Sequence, residues 1–334
     1  MAEDVQIIGG GVAACCCASL LSQAGYRVFA HVAERPGSPV LLLSGQTQLL
    51  LRDVFGCEAI FETAAQITKR IVSWGPNGEA VTLPHSGVVM AENMLLGRLW
   101  PQLNLETAGH PAKNCWRVIS SKSLLPLVSE HKFGARIAST NTVTLRDTAT
   151  SEACWVESTA SGWLFLLPCG EQRGSLISVG ATAGTLLGES RYVGDQLAGL
   201  DPLAGSFPAY PRIVTPLCGP SWIGCGSAAV AFDPIAGEGA GNAVREGILA
   251  SAAIRAALSG ERQDDLLAHY SNRLLSGFLR HMQNCSQYYR AMSGPWWQTE
   301  SEQMERGISW ARHELASSSP SRFRLNGFEL ERLA

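Results

Sequence analysis

Charge is what this chain has least of. Only 16% of its 334 residues are Asp, Glu, Lys or Arg, against about 25% in an average globular protein. The 26 basic and 29 acidic side chains nearly cancel, leaving a net charge of −3 and no basic footprint for nucleic acid. No apolar run reaches the roughly 20 residues that span a bilayer; the longest, Pro39 to Leu51, is broken by Ser44-Gly45-Gln46-Thr47-Gln48. Glu3 and Asp4 stand directly before an apolar strand, so a basic start and long secretory core are both lacking. This points to a cytoplasmic protein. The ten cysteines show no CxxC pairs and no zinc-type spacing, and three are consecutive at Cys15-Cys16-Cys17. No metal site is expected, and these thiols read as small, reduced core fillers.

What is present is apolar bulk and clustered glycine. Hydrophobic residues make up 46% of the chain, too many for disorder, and the length suits one large domain or two interlocked ones. The 34 glycines gather in a few places, as they do where backbone must approach a ligand. The chain opens as strand (Val5–Ile8), glycine turn (Gly9-Gly10-Gly11), helix (Val12 to Ala24, closed by Gly25) and strand (Tyr26–Val32). Within this βαβ unit, Gly9-x-Gly11-x-x-Ala14 meets the needs of a dinucleotide. Gly9 permits the turn, Gly11 admits the pyrophosphate to the backbone, and Ala14 lets helix pack on strand, with Val12 and Ala13 at the positive helix start. An acid should follow the second strand to bind ribose. Glu34 is the nearest, two residues later than the usual spacing, and a solvent-exposed turn is its other reading.

Further along, the spacing predicts a short helix from Gln48 to Phe55, a hairpin of Ile71–Trp74 with Ala80–Leu83, a helix from Glu92 to Leu103 and a buried strand at Trp116–Ser120. The period switches to two between Thr142 and Ala181, giving antiparallel strands at Ala153–Glu157, Trp163–Leu167 and Leu176–Val179. A strand at Ser221–Gly226 and the loop Phe232–Gly241 lead to two long helices, the second striped by Leu267, Tyr270, Leu274, Phe278, Cys285 and Tyr289. The expected fold is α/β. Residues 1–70, 113–150 and 205–262 form a Rossmann-like parallel-sheet domain, residues 71–112 and 151–204 an inserted antiparallel substrate domain, and 263–334 a C-terminal helical region in which Ser317–Pro320 is a linker.

The second glycine cluster, Gly226-Ser227-Ala228-Ala229 followed by Pro234-Ile235-Ala236-Gly237-Glu238-Gly239, resembles the late FAD motif of the para-hydroxybenzoate-hydroxylase-type flavoproteins. The resemblance implies FAD, with Gly226, Gly237, Gly239, Ala240, Gly241 and Asn242 at the helix start beside the flavin. Backbone N–H groups there stabilise negative charge on a reduced flavin. The family's aspartate, which holds the ribityl chain, falls on Ser227. Gly162-Trp163-Leu164-Phe165-Leu166-Leu167-Pro168 is similar to a motif of flavin-dependent tryptophan halogenases, and Ser44-Gly45-Gln46-Thr47 to their flavin loop. This adds Gly45 and Gln46 to the cofactor set. The catalytic lysine of those halogenases would fall on Gln66, with Lys69 three residues away, which argues against halogenation. Trp163 and Phe165 read equally well as a packed strand face.

The chain also resembles the flavoproteins that mature tryptophylquinone enzymes, through Ile71–Gly75, Leu83-Pro84-His85-Ser86, Phe232–Gly239 and Trp296-Trp297. That resemblance implies an FAD-dependent monooxygenase using O₂ and an external electron donor. Its substrate would be a tryptophan of a partner protein, the precursor of a quinone-cofactor amine or amino-acid oxidase. A hydroxylase or oxidoreductase acting on a small aromatic or isoprenoid molecule is the alternative, and a flavin-carrying assembly factor a third reading. Asp233, Glu238 and His85 are the titratable candidates for catalysis. Asp233 reads equally as a turn cap, and His85 equally as a hydrogen-bonded structural histidine.

Overall fold

The computed structural model describes residues 3–32, 40–76, 78–146 and 151–333. The opening βαβ forms because Val5 and Ile7 bury completely on one strand while the helix Val12–Gln23 is buried along nearly its whole length. Strand Asp4–Ile8 lies between Arg27–His31 and Trp116–Ile119, parallel to both. Trp222–Gly224 extends this sheet in parallel, and Cys218–Gly219 closes its edge antiparallel. The chain leaves strand Asp4–Ile8 toward one neighbour and returns later on the other side. Such a reversal opens a crevice at the carboxyl end of the central strand, where Gly9–Gly11 sits.

The second sheet has eight strands, in the order Leu197–Pro208, Ile137–Leu145, Arg173–Gly180, Gly162–Gly170, Ala153–Thr159, Ala65–Ser73, Val81–Met90 and Leu41–Ser44. Every pairing is antiparallel except that of Ala65–Ser73 with Ala153–Thr159. Strand Gly162–Gly170 carries seven consecutive buried residues because it is covered on both faces. Trp163, Phe165 and Leu167 enter the main core, whereas Leu164 and Leu166 pack under the helix Ala183–Glu189.

This sheet draws strands from several separate stretches of the chain. Leu41–Ser44, Ala65–Ser73, Ile137–Leu145 and the Leu197–Pro208 edge join it, although most of those residues were assigned to the nucleotide-binding segments. Their backbones pair with strands distant in sequence, which local periodicity does not register. Beyond the helices Gly239–Leu258 and Gln263–Arg290, a third helix spans Pro295–Ala316, and residues after the Ser317–Pro320 bend form a hairpin, Phe323–Asn326 with Glu329–Arg332. Tyr270, Leu274, Phe278, Cys285 and Tyr289 are buried as their spacing requires, and Leu267 is partly buried. No helix among the described residues is long and apolar enough to cross a membrane.

The helix Val12–Gln23 crosses Gly239–Leu258 in backbone contact. A Cβ on Gly247 would stand 2.5 Å from the Ala13 carbonyl oxygen and 3.0 Å from Cys16 Cβ. Only glycine fits that crossing. We expect Gly247→Val to destabilise the protein by about 1–3 kcal/mol through overpacking, read as a lower midpoint in urea unfolding.

Candidate functional site

Three helices begin around one space. Val12–Gln23 is capped by Gly11, Gly45–Phe55 by Ser44, whose side chain accepts from Thr47 N at 3.4 Å, and Gly239–Leu258 starts at Glu238. The first and third meet through the late glycine turn. Gly226, at φ +62°, has its Cβ direction aimed at Ala13 Cβ, 3.2 Å away. The second and third meet where a Cβ on Gly241 would lie 2.6 Å from Thr47 Oγ1. Helix starts carry unsatisfied N–H groups and partial positive charge, so their convergence builds an anion-binding cradle.

The cradle opens into a cavity of about 270 Å³ lined by Gly11, Val12, Ala13, Gly226, Ser227, Asp233, Gly237, Gly239 and Ala240. Its other wall is apolar, with Leu42 and Phe165 against Gly237 and Ile177, Phe207 and Phe232 beyond. Of the remaining residues predicted to bind cofactor, Gln46 and Asn242 line a second cavity next to the first. Gly9 donates its N–H to His31 O at 2.9 Å and packs on Ser120, Ala14 is buried in the helix core, and Gly45 packs on Ser86. Glu34 lies outside the described residues.

Asp233 is a turn cap with a fully buried carboxylate. Oδ1 accepts from Ile235 N at 3.0 Å, opening the 3₁₀ turn Pro234–Ala236, while Oδ2 accepts from Tyr289 OH at 2.8 Å and from the Arg136 guanidinium at 2.9 Å. Arg136, itself buried, also binds Glu300 and lies 4.8 Å from the Tyr289 ring centroid. Burial works against its charge, but the Tyr289 oxygen and the Asp233 and Glu300 carboxylates outweigh it and hold its pKa above the ordinary value. Trp163 Nε1 donates to Tyr289 OH at 3.1 Å, so the motif tryptophan belongs to this network and is buried away from the cavity. His281 Nε2 accepts from Asp233 N at 2.9 Å, and burial lowers its pKa to about 4. Arg70 ties the same loop from its other side, donating to Ile235 O at 3.0 Å and Ala236 O at 3.2 Å while lying over Phe165.

His85 and Glu238 stand apart from the first cavity. His85 is half-buried on strand Val81–Met90, its Nε2 without a hydrogen-bond partner, and burial first, then Arg70, lower its pKa, opposed by Glu238. Glu238 lines the second cavity and is 3.9 Å from Arg245. Gln66 and Lys69 are both exposed, and among the described residues no lysine lines either cavity. Arg136, Arg70 and Glu246 were not foreseen. Arg136 lies in a segment without a motif, and Glu246 looks like a solvent-facing position of a long helix. Instead Glu246 lines both cavities and accepts the Gly226 N–H at 2.7 Å through Oε2. Burial raises its pKa to about 8.

No protein-family model matches the chain, and no curated protein matches it by sequence. Its structure is similar to CmlS, a flavin-dependent halogenase, with a TM-score of 0.76 and 15% identity over 95% of this chain and 71% of that one. It is also similar to QhpG, a peptidyl tryptophan dihydroxylase essential for tryptophylquinone cofactor biogenesis, with a TM-score of 0.72 and 20% identity over 90% of this chain and 79% of that one. The p-nitrophenol 4-monooxygenase PnpA from Pseudomonas putida gives 0.67 and 15% over 94% and 97%. The fold is that of the flavin-dependent halogenases and monooxygenases.

The cradle fits FAD. Three helix starts face it, and the carboxyl of Glu246 is held largely neutral near pH 7 and so does not repel a diphosphate. Two consequences are measurable. Because the folded pKa of Glu246 lies above its unfolded value of 4.5, its contribution is fully present below that value and is lost as pH rises through about 8. Glu246→Gln should therefore flatten the fall of the urea midpoint across that window. Arg136→Met should destabilise by about 3–5 kcal/mol, because it leaves Asp233 and Glu300 buried without their cation; thermal unfolding reads this directly.

Proposed function

We propose that the chain is an FAD-dependent monooxygenase whose substrate is a tryptophan side chain of a partner polypeptide. The single observation that carries the FAD reading is the meeting of the early and late glycine turns at Ala13 and Gly226, which joins a pyrophosphate cradle to an apolar cavity. In this reading Gly9, Gly11, Val12 and Ala13 hold the pyrophosphate, and the start of Gly239–Leu258 faces the flavin ring with its N–H groups. Ser44, Gly45 and Gln46 would flank that ring from the start of the helix Gly45–Phe55. Bound and reduced, FAD would activate O₂ for transfer to an electron-rich ring.

The chain's own residues would position rather than react. Asp233, clamped by Arg136 and Tyr289, fixes the loop Pro234–Gly237 so that its backbone donors are set before substrate arrives. Phe165, Ile177, Phe207 and Phe232 exclude water and offer aromatic and aliphatic contact to an indole. His85, expected to serve catalysis, and Glu238 stand outside this cavity and are given no step in this reading. Among the described residues no lysine lines either cavity, which supports oxygenation over halogenation, since no ammonium there is at hand to position a hypohalous acid. Likeness in fold to a peptidyl tryptophan dihydroxylase supports the choice of substrate. The apolar cavity of about 270 Å³ also favours a second reading, a free small aromatic substrate.

Co-expression with a quinone-cofactor oxidase precursor, followed by peptide mass spectrometry, separates the two. Oxygen added to a tryptophan of the partner only when this chain is present is the expected result; oxygen added only to free aromatics would replace the proposal by the second reading. Gly11→Val should block the pyrophosphate approach and lower flavin content at least tenfold while leaving the circular dichroism spectrum unchanged.

A further inference from the structure

The second cavity, of about 550 Å³, lies against the first, with Phe232 and Glu246 forming a shared wall. It opens between the helices Gly239–Leu258 and Gln263–Arg290. Its titratable groups are Glu238 from the loop, Arg245 and Glu246 from the first helix, and Arg273, Arg280 and His281 from the second. Arg245 is engaged with Asn242 Oδ1 at 3.2 Å and Glu238 at 3.9 Å. His281 accepts the Asp233 N–H, so its ring adds no positive charge. Arg273 and Arg280 differ from the rest. Both are exposed, and among the described residues neither guanidinium is paired with a carboxylate.

These two arginines are seven residues apart on one helix, two turns or roughly 10 Å along one face. Gly277 lies between them, and a Cβ there would meet nothing within 4 Å, so the surface between the guanidinia is open. The floor is apolar, built by Phe232, Leu249 and Leu274, and Gln46, Asn242 and Asn284 add side-chain amides. Paired guanidinia over an apolar floor suit phosphate oxygens joined to a flat heterocycle. The concavity has the volume of a small-molecule site, whereas an acidic peptide would call for a longer groove.

We propose that this cleft docks a phosphate-bearing nucleotide, its phosphates on Arg273 and Arg280 and its ring on the wall shared with the flavin cavity. The inference rests on reading the first cavity as the FAD site, and it answers where an external electron donor could stand in a chain with one dinucleotide fingerprint. Nicotinamide dinucleotides and free flavin mononucleotide share this chemistry.

FAD-loaded protein titrated calorimetrically with NADP⁺ in one arm and FMN in the other distinguishes the sources. One of them should bind, more weakly at high salt, and the double variant Arg273→Ala/Arg280→Ala should lose at least tenfold in affinity with its flavin absorbance and melting temperature unchanged. Gly277→Glu, which sets a carboxylate between the two arginines without a steric clash, should have the same effect. Failure of both nucleotides to bind, or equal binding by the variants, overturns the proposal, as does arginine-dependent binding of an acidic peptide in their place. A protein that refuses FAD yet binds NADP⁺ through these arginines would sink the FAD reading and leave the docking site standing; a yellow protein without arginine-dependent binding would do the reverse.

Discussion

The crossing of two helices at Ala13 and Gly247 is the constraint on which the site depends. Val12–Gln23 belongs to the first thirty residues and Gly239–Leu258 to the last third, yet the carbonyl of one meets the Cα of the other with no room for a side chain. That contact brings Gly226 onto Ala13 and turns two helix starts toward the same point. The third, at Gly45, is held there by Thr47 against Gly241. Positive potential from three helix ends in one crevice is a property of this packing, since any one of them alone would be an ordinary helix terminus. The flat, apolar side of the crevice is supplied by the eight-stranded sheet, whose Phe165 sits beside Gly237.

The loop between these elements is fixed by charge. Asp233, Arg136 and Glu300 are ions withdrawn from water, an arrangement that hydrophobic residues of similar volume often match or better for stability. Its gain lies in geometry. With both carboxylate oxygens of Asp233 engaged and Arg70 gripping the Ile235 and Ala236 carbonyls, the turn Pro234–Ala236 is held in place relative to the helix that follows. A cluster of aromatic rings, Trp163, Tyr289, Trp296 and Trp297, closes the network from behind and keeps water out of it.

Much of this was legible in the residues. The opening βαβ, the late glycine turn and the apolar stripe of Gln263–Arg290 each have a local signature, because a turn or a helix face is decided by neighbours in sequence. The membership of the large sheet was not, since Leu41–Ser44 and Ile137–Leu145 find their partners across scores of residues. In the same way, Asp233 next to Pro234 showed that a cap was possible, but not that Arg136, nearly a hundred residues earlier, would neutralise it. Glu246 was hidden by its surroundings. A glutamate in a long helix is ordinarily solvated, and only the helix crossing buries this one beneath Gly226. Trp163, which read equally as a motif position and as a packed strand face, is part of the packed network behind the loop.

The most direct measurement is the visible absorbance of the purified chain after incubation with FAD and removal of the excess. Flavin retained near one equivalent, with its spectrum perturbed from that of free FAD, is the result expected of a crevice ringed by three helix starts. A colourless protein that is folded by circular dichroism would contradict it, and the two glycine turns would then be no more than the close packing of an α/β scaffold.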